Sequence, residues 1–233
     1  MARGTVGDMA DDPKHKLTAT EVREAGLDDW RHLLTGIRAR FRTGDFAAGL
    51  ALVDRIGAAA EEAGHHPDIS LTYPEVIVTL SSHDVGGITS RDLDLARAIS
   101  GFAAEAGATA DVSGLTQLEP GLDTSTPEGL GDFYAALLGG EVRDGEPVDP
   151  SGQVPGLWFQ GPGEEGEPRL LPEPDHEQRW HLDVWVPHDE GERRLQAVLD
   201  AGGTLVSDAE APSFWVVADA DGNRSCICTR LGR

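Results

Sequence analysis

The chain has 233 residues but only two cysteines, two methionines and two tyrosines, and its 41 acidic side chains outnumber 19 basic ones for a formal charge of -22. Each shortage excludes something. Cys226 and Cys228 lie one residue apart near the end of the chain. Cysteines that close on one strand do not readily bridge, so a disulfide scaffold is excluded and a reducing, cytoplasmic setting is expected. The deficit of positive charge repels phosphate backbones and anionic lipid surfaces alike, which argues against nucleic acid or membrane as a partner. No apolar run approaches the length of a membrane span, and the first residues carry charges where a secretory leader is apolar. Residues 1–14 are expected to form a disordered leader.

The length suits two domains of ordinary size, each able to bury its own core. The first is expected over residues 15–109 and the second over 110–233. Thr18 followed by Glu21 is a capping box with Leu17 as its staple, which opens a short helix closed by Gly26. Two strands follow over 30–34 and 37–42; in the second, Ile37, Ala39 and Phe41 alternate with Arg38, Arg40 and Arg42, so one face is apolar and the other charged. Asp45 caps a helix over 46–63 in which Phe46, Leu50 and Val53 recur at helical spacing, and Gly64 supplies its left-handed stop. Strands are predicted over 69–73 and 76–80, then a helix capped by Thr89 with Leu95, Ile99 and Phe102 inward. The order is α-β-β-α-β-β-α. Small residues over 106–113 mark the boundary between domains.

Three of the eight histidines, His65, His66 and His83, flank one strand region. Imidazole exchanges protons at neutral pH because its unperturbed pKa lies near ~6.5, so two such rings serve as acid and base without extensive tuning. His65 and His66 follow a helix end, and His83 ends a strand that returns toward them. Glu61 lies one turn before His65 and Asp92 in the first turn of the next helix, where either carboxylate can fix an imidazole tautomer. Taken singly, each histidine is more often an ordinary loop residue, Glu61 a solvated helix side chain and Tyr73 a packing residue; the joint spacing is what favours function. A zinc site is the competing reading, but no HExxH or CxxC spacing is present and adjacent His65 and His66 tend to point apart.

Glu61, His65-His66-Pro67, Tyr73, His83 and Asp92 at these spacings resemble the signature of the pterin-4a-carbinolamine dehydratase family, and the likeness extends over residues 17–102. The resemblance implies an antiparallel four-stranded sheet with helices on one face and no cofactor. It also implies dehydration of a 4a-hydroxytetrahydrobiopterin-type carbinolamine to the quinonoid dihydropterin. By position, His65 and His83 would be the acid and base, His66 would bind and orient the pterin, and Glu61, Asp92 and Tyr73 would support substrate and rings.

The second half has another rhythm. A strand over 118–123, a helix over 127–138 and a strand over 157–160 are echoed by a strand over 181–186, a helix over 190–201 and strands near 205, 215–217 and 226–229. Residues 143–155 and 161–177, rich in Gly, Pro and Glu, read as mobile hairpin loops. Phe133-Tyr134-Ala135-Ala136-Leu137-Leu138-Gly139, His181-Leu182-Asp183-Val184 and Asp219-Ala220-Asp221-Gly222-Asn223 resemble the glyoxalase and bleomycin-resistance (vicinal oxygen chelate) superfamily. That likeness implies paired βαβββ modules, hence an α+β chain throughout, and a bound small molecule of unknown identity. In metal-using members the ligand positions correspond to Gln117 or Glu119, His181 and Cys226; with a cysteine where a glutamate is usual, no metal is expected here and His181 and Glu119 are weak candidates. Trp158, Trp180, Trp185 and Trp215 read as core.

These readings give a two-domain hydro-lyase with a pterin substrate. Two alternatives remain open: a regulatory or ligand-sequestering protein without activity, and metal-dependent lyase or dioxygenase chemistry in the second domain. Both resemblances imply self-association into a homo-oligomer, for which the arginine-bearing strand offers a surface.

Overall fold

The computed structural model describes residues 12–124, 131, 141–150, 152, 155–161, 180–200, 203–218 and 224–232. The chain divides into two compact units, Met1–Leu115 and Thr116–Gly232. Of the predicted leader only residues 12–14 fall among those described.

In the first unit, helix α1 (Ala19–Glu24) opens on the Thr18–Glu21 capping box. Strands β1 (Arg31–Leu33) and β2 (Gly36–Arg42) form an antiparallel pair. Helix α2 (Phe46–Ala63) starts where Asp45 accepts from the Ala48 amide at 2.8 Å, and stops at Gly64, whose φ of 58° is a left-handed value that glycine adopts without steric cost. Strands β3 (Asp68–Thr72) and β4 (Glu75–Leu80) form the next hairpin, and α3 (Ser90–Glu105) follows. The sheet order is β1-β2-β4-β3, antiparallel throughout.

Strand alternation divides that sheet. Ile37, Ala39 and Phe41 pair with Leu80, Val78 and Val76 and are buried on the helix-covered face. Burying each of the larger side chains contributes about 1.5–3 kcal/mol. On the opposite face Arg38 donates to Thr79 Oγ1 at 3.0 Å, Arg40 pairs with Glu75, and Arg42 pairs with Asp111.

Two expectations need correction in this unit. The buried stripe of α2 is Gly49, Leu52, Ile56 and Ala60, whereas Phe46 and Leu50 are half exposed. Close approach rather than side-chain size sets the face: a Cβ on Gly49 would lie 2.6 Å from Leu71 Cδ1. The small-residue segment taken as a plain boundary also holds structure. Strand β5 (Thr109–Ala110) adds to β2 as a fifth strand, and a 3-10 turn (Val112–Gly114) follows, capped by Asp111.

The second unit is built on β6 (Gln117–Asp123), the hairpin β7 (Glu141–Arg143) and β8 (Glu146–Val148), β9 (Trp158–Gln160), β10 (Trp180–Trp185), α4 (Gly191–Asp200), β11 (Thr204–Ser207), β12 (Phe214–Ala218) and β13 (Arg224–Cys228). The six-stranded sheet has the order β11-β12-β13-β10-β6-β9. In each half the first strand lies parallel to the last, β6 beside β9 and β10 beside β13, and the two first strands pair antiparallel at the centre. Two βαβββ modules joined through their first strands give this arrangement; apart from residue 131, the helix expected over 127–138 lies outside the described residues, as do the Phe133–Gly139 motif, the Asp219–Asn223 motif and residues 162–177. Val186, Trp215, Val217 and Ile227 form a core into which Leu195 and Val198 of α4 pack. Trp185 is also buried, but Trp180 is largely exposed and Trp158 only partly buried, so the tryptophans are not one core.

Residues 143–155 are not purely loop. Asp144 and Gly145, both with positive φ, turn β7 into β8 as an Asp-Gly hairpin, and the surrounding Gly, Pro and Glu hid that signal. Among the described residues no helix is long and apolar enough to cross a membrane.

Candidate functional site

Gly64 ends α2 and turns the chain so that His65 points inward and His66 outward. His65 is buried, and its Nε2 lies 2.7 Å from Asp92 Oδ1. Asp92 is 0% exposed. A carboxylate so deep needs full compensation, and the local fold provides it. Asp92 is the third residue of α3, so the Thr89 amide donates to its Oδ2 at 2.8 Å as half of a capping box, and the Ser82 hydroxyl donates to the same oxygen at 2.7 Å. The positive end of the α3 dipole adds to these.

The bonding pattern determines the tautomer. Asp92 accepts from Thr89 and Ser82 and so behaves as an ionised acceptor; its other oxygen then accepts from Nε2–H of His65. That leaves Nδ1 as the ring nitrogen with no hydrogen-bond partner among the described residues. A neutral imidazole held this way presents a lone pair at Nδ1.

His83 belongs to the same end of the sheet. β4 runs antiparallel to β3 with Asp68 opposite Thr79, returning the chain to the level of His65. Ser82 and Gly87 close a tight loop through a backbone bridge, with His83 exposed on it, directly after the serine that contacts Asp92. Asp84 anchors the loop by pairing with Arg91 and Lys14. The Arg91 hydrogen bond is the main reason the Asp84 carboxyl is held below its ordinary range.

The remaining predicted residues fare differently. His66 Nε2 lies 3.1 Å from Glu61 Oε1, but both side chains are exposed, so this pair is screened and weak. Tyr73 is not brought to the group. It is 71% exposed in the turn between β3 and β4, at the far end of β3 from His65. Sequence reasoning passed over Ser82 and Thr89 as partners of Asp92, although the Thr89-x-x-Asp92 spacing already carried the capping signal.

In the second unit His181, Asp183 and Cys226 are all buried, and one ligating atom from each lies within 4.8 Å of the others. Asp183 pairs in register with Cys226 across β10 and β13, and His181 Nδ1 lies 3.2 Å from Asp183 Oδ1. Glu119 pairs with Asp183 on the β6 side but is not one of the three. These residue types could hold a divalent metal, and the group shares His181 and Cys226 with the expected set while Asp183 stands in place of Glu119 or Gln117.

Comparison with known proteins agrees with the two halves. Residues 15–102 match the family model for pterin 4 alpha carbinolamine dehydratase, and residues 121–228 match one for a glyoxalase-like domain. A protein of Thermosynechococcus vestitus, provisionally named pterin-4-alpha-carbinolamine dehydratase, is 43% identical over 83 residues, which cover 36% of this chain and 87% of the relative. A counterpart from Nocardia farcinica with the same provisional name is 48% identical over 77 residues, covering 33% of this chain and 81% of its own. Among solved structures, a transcriptional coactivator/pterin dehydratase from Brucella melitensis is 32% identical with a TM-score of 0.37, covering 38% of this chain and 98% of that one. Through its first unit, with the buried His65–Asp92 pair inside the matched span, the chain belongs to the pterin-4-alpha-carbinolamine dehydratase family, and a glyoxalase-like domain follows it.

Proposed function

We propose that the first unit dehydrates a 4a-hydroxytetrahydropterin to the quinonoid dihydropterin, with His65 and His83 as the proton-transferring pair. The observation that carries this reading is the buried contact of 2.7 Å between His65 and Asp92, which leaves one imidazole nitrogen oriented and available. The proton balance is simple. One imidazolium gives a proton to the departing 4a-hydroxyl, which leaves as water. The other imidazole takes the proton of the adjacent ring nitrogen, whose N–H electrons close the new C=N bond. No net proton is consumed, so two rings of opposite protonation state suffice. His65 works through Nδ1, His83 reaches the substrate from its loop, and His66, beside Glu61, orients the pterin from the exposed side.

For the second unit the proposed role is binding of a small molecule on the sheet face that carries His181 and Asp183. A divalent ion bound there would act as a Lewis acid toward an oxygen of that ligand.

Stopped-flow ultraviolet measurement with freshly generated 4a-hydroxytetrahydrobiopterin tests the dehydratase reading. His65→Ala and His83→Ala should each slow dehydration by about 10²–10⁴-fold while binding of a stable pterin analogue largely persists. Full dehydration rates in both variants would remove the proposed roles. A wild-type chain that binds no pterin would favour an interaction module instead.

A further inference from the structure

We propose that Arg91 is a positioning residue for the dehydration: it ties the loop that carries His83 to the helix start that orients His65, and so sets the separation of the two rings. The inference rests on the dehydratase reading and adds a residue to it. The two histidines lie on different elements. His65 follows the end of α2, whereas His83 sits exposed on the loop between Ser82 and Gly87. A proton-transferring pair must keep a fixed spacing across one small substrate, and a misplacement of about 1 Å costs up to about 10²-fold in rate.

The loop needs an anchor outside itself. Its backbone closes through the Ser82 amide to Gly87 O at 2.8 Å and the Val85 amide to Ser82 O at 3.1 Å, but Gly86, with a φ of 62°, and Gly87 adjoin in it and leave the backbone free to tilt. On the Gly87 side the chain before α1 covers it. A Cβ on Gly87 would lie 2.4 Å from Lys16 Cε, and the Leu17 amide donates to Ile88 O at 2.8 Å. On the His83 side the anchor is the next residue, Asp84, whose Oδ1 accepts from Arg91 Nη2 at 2.6 Å. Lys14 Nζ lies farther from Asp84, at 3.5 Å, on a side chain that is 68% exposed.

The same guanidinium reaches the setting of His65. Arg91 Nε donates to Thr89 Oγ1 at 3.3 Å, and that oxygen lies 2.9 Å from Ser82 Oγ and 3.4 Å from Asp92 Oδ2. One planar fork thus spans from the residue beside His83 to the cap that holds Asp92 against His65. Lysine, a point charge on a flexible stem, would serve one of these acceptors but not both in a fixed geometry. His65 itself does not depend on the fork, because Asp92 keeps the Thr89 amide at 2.8 Å and the Ser82 hydroxyl at 2.7 Å. The Arg91 and Asp84 side chains are partly exposed, so their pair adds little to global stability, and its consequence is the placement of the His83 loop.

A double-mutant cycle on the full-length chain, read by stopped-flow turnover, provides the test. Arg91→Ala should lower kcat by about tenfold while Tm and the Kd of a stable pterin analogue stay nearly unchanged, and protection of the Val85 and Gly87 amides should fall. Arg91→Lys should recover only part of the rate, and Asp84→Asn should match Arg91→Ala within about threefold. Arg97→Ala removes the same charge from the same helix, where Arg97 pairs with Asp94, and should leave the rate unchanged. In the His83→Ala background, Arg91→Ala should alter the residual rate by less than about twofold, because the loop then carries no ring to place. Equal losses from Arg91→Ala in both backgrounds, or full turnover in both Arg91→Ala and Asp84→Asn, would overturn the positioning role and leave the dehydratase reading intact. Full turnover in His83→Ala would instead remove the reading beneath it, and the positioning role with it. Should Arg91→Ala fail to fold, Asp84→Asn on the exposed loop completes the same cycle with the same criteria.

Discussion

Asp92 shows how much one side chain can be asked to do. Its Oδ1 faces the ring of His65, and its Oδ2 collects the Ser82 hydroxyl and the Thr89 amide. Asp92→Asn replaces one acceptor oxygen with a donor, and wherever that amide turns it confronts an existing donor. If it turns toward His65, the ring must reverse its tautomer and lose the lone pair at Nδ1. Turnover should fall by about 10²–10⁴-fold, alongside a stability loss of roughly 1–3 kcal/mol measured by urea unfolding. Ser82→Ala removes one of several donors to the same oxygen and should cost only about 0.5–1.5 kcal/mol, with turnover changed far less. Equal kinetic damage from both substitutions would mean that Asp92 acts through packing rather than through the imidazole. Asp92 was legible in the sequence because it falls in the first turn of a helix and belongs, with the histidines, to the family signature, although it lies 27 residues beyond His65. Ser82 was not, since a serine carries no signal until the loop between Ser82 and Gly87 folds it against α3. Asp183 was missed for a related reason: its nearness to Cys226 is a matter of strand register, and register is not written in local spacing.

Among the elements, those with strong end signals were read most closely. Asp45 and Gly64 bound α2, and Thr89 opens α3. Weakly marked pieces escaped: β5 has two small residues, and β8 sits in a Gly- and Glu-rich stretch. β5 is nonetheless tied firmly to β2. Asp111, next after β5, accepts from Arg42 and Ser113 and from the Gly114 amide. The Arg42 hydrogen bond, with Ser113 next, lowers the Asp111 pKa. A depressed carboxylate stabilises the fold above its unfolded pKa near ~3.9, and that contribution fades as pH falls through the folded value. Protection of the Thr109 and Ala110 amides, taken relative to their intrinsic exchange rates, should therefore fall in acid, below about pH 4, more in the wild type than in Asp111→Asn. An identical acid response in both chains would show that this tie does not hold β5. The arginines of β2 are accordingly side chains bound to neighbours, which explains their alternation without an anion site.

At the level of the whole chain, each unit has a buried cluster of its own, with Ile99 fully enclosed in the first and Ile227 central to the second. Trp30 belongs to the first unit, whereas Trp158, Trp180, Trp185 and Trp215 belong to the second, and among the described residues the two longest helices belong to the first. Helical circular dichroism and tryptophan fluorescence thus report largely different units. Ile99→Ala should destabilise the first by about 2–5 kcal/mol, lowering the dichroism transition and leaving the fluorescence transition of the second in place. A matched fall in both would contradict separate cores.

The double duty of Asp92 also has a bearing on heat. The atom group that starts a helix is the same one that orients the His65 ring, so breathing of that first helical turn tilts the ring before the unit melts. Under the proposed dehydration, activity would be lost on warming in step with amide exposure at Arg91 to Leu93, ahead of global unfolding, making the beginning of α3 the fuse of the enzyme.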